Sequence, residues 1–285
     1  MIKFSDIKLI GIVGAGTMGQ GIAQICAMAG YKTLIYDLDS YALENALKEI
    51  EKNLDKGIEK GKVDESLKES TLNRLSISDN FNELTADFIV EAVVEKLEVK
   101  TKLFQELESI NSPSTILTSN TSSIPITQIG AKLKNPERFA GMHFFNPAHI
   151  MKLVEVISGA STNSQTITTI KELAVKLGKK PVSVNDSPGF IVNRVARHFY
   201  VESLKIIEEG VTDFETLDKL IESTGFRMGP FRLMDLIGVD TNFSVTQSMF
   251  NAFHQDAKFR PNRIQQQKVD AGHHGRKTKK GFYDY

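Results

Sequence analysis

Through the first two thirds of the chain, short apolar runs typical of strands alternate with longer segments that have the hydrophobic periodicity of helices. Residues 8–13 form a short apolar run that ends in glycines, and residues 17–29 continue as a small-residue segment with helical periodicity. Residues 33–36 and the charged amphipathic segment 41–60 repeat this order. Further strand-like runs lie at residues 88–94, 115–119, 139–144, 153–157 and 181–184. This alternation predicts a parallel sheet with helices between most of its strands.

The pattern changes after the turn sequence Asp186-Ser187-Pro188-Gly189. Residues 190–209, 213–223 and 231–253 carry helical periodicity with little strand signal. We therefore predict an α/β domain over residues 1–186, followed by a smaller all-helical domain over residues 187–285.

Composition narrows the class of protein. The 285 residues are 41% hydrophobic and 25% charged, as expected for a globular protein with a large core. The 35 basic residues balance 35 acidic ones, so no global field favours nucleic acid or an anionic membrane as a partner. No apolar run is long enough to span a bilayer, and Asp6 interrupts the early one. The single cysteine, Cys26, excludes an internal disulfide and favours a reducing, cytoplasmic location.

The first strand–loop–helix unit carries the pattern G-x-G-x-x-G at Gly14, Gly16 and Gly19. In such a loop the first glycine permits a tight turn, the second lets a pyrophosphate approach the backbone, and the third allows close packing of helix and strand. Asp37, at the end of the next strand, suits the ribose diol and disfavours a 2′-phosphate. The pattern predicts a Rossmann-like domain that binds NAD. The alternative is a structural turn with Asp37 as a helix cap.

Polar side chains near later strand ends suggest a catalytic site. Glu155 lies in an apolar strand-like run, where a carboxylate needs a partner. We expect His143, on the preceding predicted strand, to be the partner of Glu155. A histidine held by a carboxylate could remove the hydroxyl proton while NAD accepts a hydride. The alternative is a structural histidine in the core.

Several motifs together identify a family. They are Gly14 to Gly19 with Asp37, Asn120-Thr121-Ser122-Ser123, His143-Phe144-Phe145-Asn146-Pro147, Leu153-Val154-Glu155-Val156, Pro188-Gly189-Phe190-Ile191-Val192-Asn193-Arg194, Met228-Gly229-Pro230-Phe231, and a tail with Lys277-Thr278 and Gly281-Phe282-Tyr283. Across nearly its whole length, the chain resembles the L-3-hydroxyacyl-CoA dehydrogenase family.

The resemblance implies roles for individual residues. His143 would be the acid/base, Glu155 would orient it, and Ser122 and Asn193 would contact the oxygens of the substrate. Glu95 and Lys100 could instead form a helix-surface pair, and Asn120 could be a turn residue. The NAD-binding positions implied are Gly14, Gly16, Met18, Gly19, Asp37, Glu95, Lys100, Asn120, Asn146 and Lys277.

The resemblance also implies a coenzyme A site and a reaction. Asn53, Lys56 and Lys60, together with Ser122, would bind the acyl-CoA, although lysines alternating with acids are also typical of a solvated helix face. The implied reaction is reversible, NAD-dependent oxidation of (S)-3-hydroxyacyl-CoA to 3-oxoacyl-CoA, and we expect a four-carbon acyl chain. The expected assembly is a homodimer formed through the helical domain, and no metal is assigned because the other histidines lack metal-ligand spacing.

Two alternatives keep the fold: a dehydrogenase of a free hydroxy acid or sugar acid, and a non-catalytic NAD-binding protein. The chain departs from the family pattern at Arg232, where an acidic residue is commoner, and at Lys279, where glycine is usual. These departures put in doubt the contacts of the helical domain and the closure of the tail.

Overall fold

An eight-stranded sheet organises the first part of the chain in the computed structural model, which describes residues 2–285. The strand order is β3-β2-β1-β4-β5-β6-β7-β8. The strands are β1 (Leu9–Val13), β2 (Lys32–Tyr36), β3 (Leu75–Ser78), β4 (Phe88–Glu91), β5 (Ile116–Ser119), β6 (Phe139–Phe144), β7 (Leu153–Ser158) and β8 (Lys180–Asn185).

Helices cover this sheet and bury its central strands. Every residue of β4, β5 and β6 is buried, as expected for strands packed on both faces. Asp39 caps the helix that begins at Ser40, because its side chain accepts a hydrogen bond from the Tyr41 backbone N–H. The helices are α1 (Thr17–Met28), α2 (Ser40–Glu59), α3 (Glu65–Leu72), α4 (Leu97–Ile110), α5 (Ile126–Gly130) and α6 (Ser164–Lys176).

The prediction of a uniformly parallel sheet is wrong at one strand pair. The strands from β3 to β6 in the sheet order are parallel, but β7 pairs antiparallel to β6, and β8 runs parallel to β7. The connection between β6 and β7 comprises only residues 145–152 and contains no helix. A parallel crossover needs a dozen or more residues, so this short segment forces the chain to turn back.

Other differences are local. The run predicted at residues 88–94 ends as a strand at Glu91. The sequence pattern missed β3, whose four residues alternate two apolar residues with two serines and are partly exposed, so they lack a continuous apolar run. The predicted helical segment 231–253 is two helices, because Gly238 has a φ of 105° and ends the first of them.

The second compact unit begins at Pro188, after the first ends at Ser187. Its core consists of residues such as Leu204, Phe231 and Phe282. Buried Asp235 accepts the backbone N–H groups of Phe282 and Tyr283, which fixes the C-terminal tail within this unit. Its helices are α7 (Val192–Glu208), α8 (Phe214–Ser223), α9 (Pro230–Ile237), α10 (Val239–Ala252) and α11 (Arg263–Asp270). None of the helices within residues 2–285 combines the length and apolarity needed to cross a membrane.

Candidate active site

His143 and Glu155 face each other across the antiparallel pair of β6 and β7. They are register partners, so their side chains leave the same face of the sheet. The Nδ1–H of His143 donates to Glu155 Oε2 at 2.8 Å, and the two residues are only 6% and 1% exposed. The contact leaves Nε2 as the ring nitrogen that can accept or return a proton. The Phe145 ring lies 4.5 Å from the imidazole, centroid to centroid, and packs beside it.

The loop after β5 is tied to the end of β6. The side-chain oxygen of Asn120 accepts the backbone N–H of Phe144 at 2.8 Å, one residue beyond His143. Asn120 is therefore more than a local turn residue, because its amide holds two neighbouring strand ends together. Ser122 follows in the same loop and is partly exposed. Asn146, also exposed, lies beyond the end of β6.

Glu95 fixes the loop that carries Ser122. Its Oε1 accepts hydrogen bonds from the Thr121 hydroxyl at 2.6 Å and from the backbone N–H groups of Ser122 and Ser123 at 2.9 and 3.1 Å. Burial opposes ionisation of Glu95, but the Lys100 charge and these donors outweigh it and lower the pKa of the carboxyl. A charged Glu95 thus orders the serine-rich loop.

Lys100 is buried, so the alternative of a helix-surface pair with Glu95 is wrong. Its side chain is 1% exposed and its ammonium forms ion pairs with Glu91 and, at 3.3 Å, with Glu95. Glu91 also accepts the Ser119 hydroxyl at 2.6 Å and the Val93 backbone N–H at 2.7 Å. The two acids and one lysine therefore join the ends of β4 and β5 to the start of α4.

Sequence reasoning missed Glu91 and Ser119 in this network. The signal for Glu91 was present, since it lies in an apolar strand-like run just as Glu155 does. The argument that a carboxylate in such a run needs a partner applies to both residues.

The backbone of the glycine-rich loop requires glycine at Gly14 and Gly19, and it is open at Gly16, as the sequence pattern predicts. Gly14 has a φ of 104°, which side chains rarely adopt. A Cβ on Gly19 would lie 1.7 Å from the carbonyl oxygen of Gly14, so only glycine allows this contact between helix and loop. At Gly16 an added Cβ would meet no atom within 4 Å, which leaves the backbone open toward a ligand. Met18, in the first turn of α1, packs partly buried against the core.

Asp37 braces this loop from the end of β2. Its Oδ2 accepts the backbone N–H of Ala15 at 2.7 Å, and Oδ1 accepts that of Asp39 at 3.1 Å. The helix cap of α2 is Asp39, so the alternative role of Asp37 as that cap is wrong. A cavity of about 570 Å³ adjoins the loop, and its lining includes Gly14, Gly16, Asp37 and Leu38. These features fit the adenosine side of a dinucleotide with an unphosphorylated ribose.

The lysines of α2 differ in whether they have acidic partners. Lys52 pairs with Glu49 at 3.1 Å, and the neighbouring acids Glu51 and Asp55 are neutralised by Lys68 of α3. Among the residues that the structure describes, no carboxylate lies within 4 Å of Lys56 or Lys60, and both are exposed. Asn53 lies on the same helix and is partly buried. This surface therefore offers cations to an anionic ligand.

The remaining candidates belong to the second unit. Asn193 lies in the first turn of α7 and is partly buried. Lys277 pairs with Asp240 at 2.7 Å. Of the two departures from the family pattern, Arg232 lies 4.4 Å from the centroid of the Tyr283 ring and so packs within the unit, while Lys279 has a φ of 59°, in the region that favours glycine.

Metal-ligating side chains do not converge in the described part of the chain. Within residues 2–285, no three side chains of His, Cys, Asp or Glu come together in a way that could hold a metal ion.

Comparison with known proteins agrees with this geometry. The model of the 3-hydroxyacyl-CoA dehydrogenase NAD-binding domain matches residues 9–187, and that of the corresponding C-terminal domain matches residues 189–285. The chain is 40% identical over 281 residues to 3-hydroxybutyryl-CoA dehydrogenase of Bradyrhizobium diazoefficiens, covering 98% of this chain and 96% of the relative. It is 45% identical over 282 residues to 3-hydroxyadipyl-CoA dehydrogenase of Escherichia coli, covering 98% of this chain but only 59% of that longer protein.

Solved structures give the same result. The crystal structure of (S)-3-hydroxybutyryl-CoA dehydrogenase from Ralstonia eutropha superimposes with a TM-score of 0.94 at 38% identity, covering 98% of this chain and 99% of the other. The first unit thus has the fold and the cofactor-binding loop of an NAD-binding dehydrogenase domain. The chain belongs to the 3-hydroxyacyl-CoA dehydrogenase family.

The carboxylate of Asp37 should set the preference between cofactors. We expect the protein to bind NADH at least about 10-fold more tightly than NADPH, because Asp37 repels a 2′-phosphate. Asp37→Ala should reduce that preference by a similar factor, measured by fluorescence titration with each cofactor. Glu44→Ala, which removes an exposed acid from α2, is the control. Equal affinities of the unmodified protein for NADH and NADPH would contradict this role.

Proposed function

We propose that this chain catalyses the reversible oxidation of a short-chain (S)-3-hydroxyacyl-CoA to the 3-oxoacyl-CoA, with His143 as general acid/base. The observation that carries the proposal is the buried pair of His143 and Glu155 at the end of β6, beside the serine loop and in the same unit as the glycine-rich loop. NAD, when bound, supplies a nicotinamide ring that accepts the hydride from C3. The protein residues handle the proton and the substrate oxygens.

The imidazole of His143 performs the proton transfer. In the oxidation direction Nε2 takes the C3 hydroxyl proton, and the Nδ1–H remains donated to Glu155. The carboxylate then stabilises the imidazolium that forms, as in other carboxylate–histidine pairs. In the reverse direction the same nitrogen returns the proton to the developing alkoxide.

Ser122 and Asn193 would hold the substrate oxygens. Each can donate a hydrogen bond, Ser122 from its hydroxyl and Asn193 from its amide, to the C3 oxygen or the thioester carbonyl. Glu95 supports the first of these roles because it fixes the backbone around Ser122. Glu95, Asn120, Asn146 and Lys277 would complete the proposed NAD site, and the buried Lys100 would act there through its ion pair with Glu95.

The coenzyme A part of the substrate would bind along α2. Lys56 and Lys60 lack acidic partners, which is the state expected of lysines that bind phosphates, and Asn53 adds an amide. This cationic surface distinguishes the proposal from a dehydrogenase of a free hydroxy acid, which has no phosphates to hold. The presence of a buried acid/base pair counts against a non-catalytic NAD-binding protein.

Two expectations about the whole protein belong to the same proposal. We propose that it acts in the cytoplasm, in line with its single buried cysteine, and that it forms a homodimer through the helical unit. Size-exclusion chromatography with light scattering measures the oligomeric state directly.

Loss of the imidazole should nearly abolish turnover. His143→Ala should lower kcat with acetoacetyl-CoA and NADH by about 10²- to 10⁴-fold, because the alkoxide loses its proton donor. The dissociation constant for NADH should be nearly unchanged. His254→Ala, which removes an exposed histidine of the second unit, is the control. A loss below about threefold would exclude His143 as the acid/base.

Reversal of charge on α2 should weaken the binding of the CoA ester and leave the binding of NADH unchanged. Lys56→Glu with Lys60→Glu should raise the KM for acetoacetyl-CoA by about 10-fold or more, since the phosphates lose two cations and meet two anions. The KM for NADH should stay the same. Lys52→Glu is the matched control, because Lys52 is already paired with Glu49. An unchanged KM for the ester in the double variant would mean that the two lysines belong to an ordinary solvated helix face and do not bind coenzyme A.

A further inference from the structure

Residues 145–152, which connect β6 to β7, bring the chain from His143 to the surface of α1. A Cβ on Gly21 of that helix would lie 3.6 Å from the backbone nitrogen of His149, so the connection packs directly on the helix. The same helix packs against α2, which carries Lys56. An acyl-CoA that places C3 at His143 and its phosphates at α2 therefore extends beside this connection.

Lys179, in the turn before β8, holds this connection with a buried ammonium group. It is 7% exposed, and its Nζ donates to the backbone carbonyls of Ala148 and Met151 at 2.5 and 2.9 Å. The backbone of His149 is therefore held in place between these two contacts. The charge of Lys179 also acts on the imidazole that follows Ala148.

The imidazole of His149 is half-buried, and its ring has no hydrogen-bond partner in the protein. Ring nitrogens of His143 and His274 make hydrogen bonds, whereas those of His149 make none to the residues that the structure describes. The charged groups that act on the ring are Lys179 and Lys56, and no carboxylate opposes them. The ring thus faces two cations and is free to bind a ligand.

This environment keeps the imidazole neutral in the free protein. Burial, followed by the charges of Lys179 and Lys56, holds the pKa of His149 below its ordinary value. An anion bound between the ring and Lys56 reverses the balance, because it offsets the lysine charge and accepts a hydrogen bond from the imidazolium. The arrangement therefore suits a phosphate better than it suits any neutral ligand.

We propose that His149, together with Lys56, binds a phosphate group of the coenzyme A moiety. This inference rests on the proposed function and adds to it a binding residue from the connection between the two catalytic strands. The imidazole takes up a proton as the phosphate binds. Its contribution to affinity is therefore present at neutral pH and is lost as the pH rises through the higher pKa of the bound ring.

The first experiment compares acetoacetyl-CoA with acetoacetyl-pantetheine, a substrate that has the same reacting end but no phosphates. The kcat/KM of each is measured with NADH, and the ratio of the two values isolates the contribution of the phosphate-bearing part. His149→Gln should lower kcat/KM for acetoacetyl-CoA at pH 7 by about 5- to 20-fold and change that for acetoacetyl-pantetheine by less than about twofold. His254→Gln, which replaces an exposed histidine of the second unit, should change neither value.

The outcomes of this comparison separate the inference from the proposed function. A ratio in His149→Gln equal to that of the unmodified protein would overturn the inference, whether both esters lose activity equally or neither does. Good activity of the unmodified protein on acetoacetyl-CoA would then leave the proposed function standing. Activity of the unmodified protein on neither ester would overturn both.

The second experiment follows the same ratio in the unmodified protein between pH 7 and pH 9. The phosphates stay ionised over this range, and titration of His143 affects both esters alike, so the ratio responds to the phosphate site. It should fall by about 3- to 10-fold as the bound His149 loses its proton. His149→Lys, whose charge persists, should give a ratio that does not change with pH. A ratio independent of pH in the unmodified protein would overturn the inference without any variant.

Discussion

The antiparallel pairing of β6 with β7 is the constraint on which the site depends. It makes His143 and Glu155 direct partners across the sheet, so that the carboxylate meets Nδ1 where water is excluded. A carboxylate buried alone would cost several kcal/mol, and the imidazole supplies the compensating hydrogen bond. Because both residues lie on rigid strands, the orientation of the ring is fixed before any ligand binds.

A second buried network holds the loops that surround this pair. Lys100 joins Glu91 to Glu95, and Glu95 in turn binds the backbone of the serine loop. Asn120 then ties that loop to the end of β6. Charged groups from the end of β4, the loop that follows it and α4, together with the Asn120 amide, thus fix the position of one polar loop. This arrangement explains why polar residues occur among so many apolar neighbours in this part of the sequence.

Much of the fold could be predicted from the sequence because its central strands are buried on both faces and therefore appear as continuous apolar runs. The glycine-rich loop was predictable for a different reason, because steric constraints require glycine at fixed positions. The clearest case is Gly19, where a Cβ would collide with the carbonyl oxygen of Gly14. The exposed edge strand β3 has no such run and was missed. Strand direction is also invisible to hydrophobic periodicity, although the short connection of residues 145–152 could have indicated the reversal at β7.

The candidate site was predictable where a single residue is out of place in its local pattern. Glu155 lies between two valines, and because a buried carboxylate needs a hydrogen-bond partner, His143 on the preceding strand could be identified as that partner. Lys100 could not be located in this way, because a lysine on an amphipathic helix is normally solvated, and only the tertiary fold brings it between two buried acids.

The most direct test of the account is the kinetic comparison of Glu155→Gln with the unmodified enzyme, using acetoacetyl-CoA and NADH across a range of pH. The amide keeps the shape of the side chain but removes the charge and can hold the imidazole in the wrong tautomer. The account predicts a fall in kcat of about 10- to 10⁴-fold and an altered pH–rate profile, with NADH affinity retained. A variant with the rate and pH profile of the unmodified enzyme would contradict the claim that this pair performs the proton transfer.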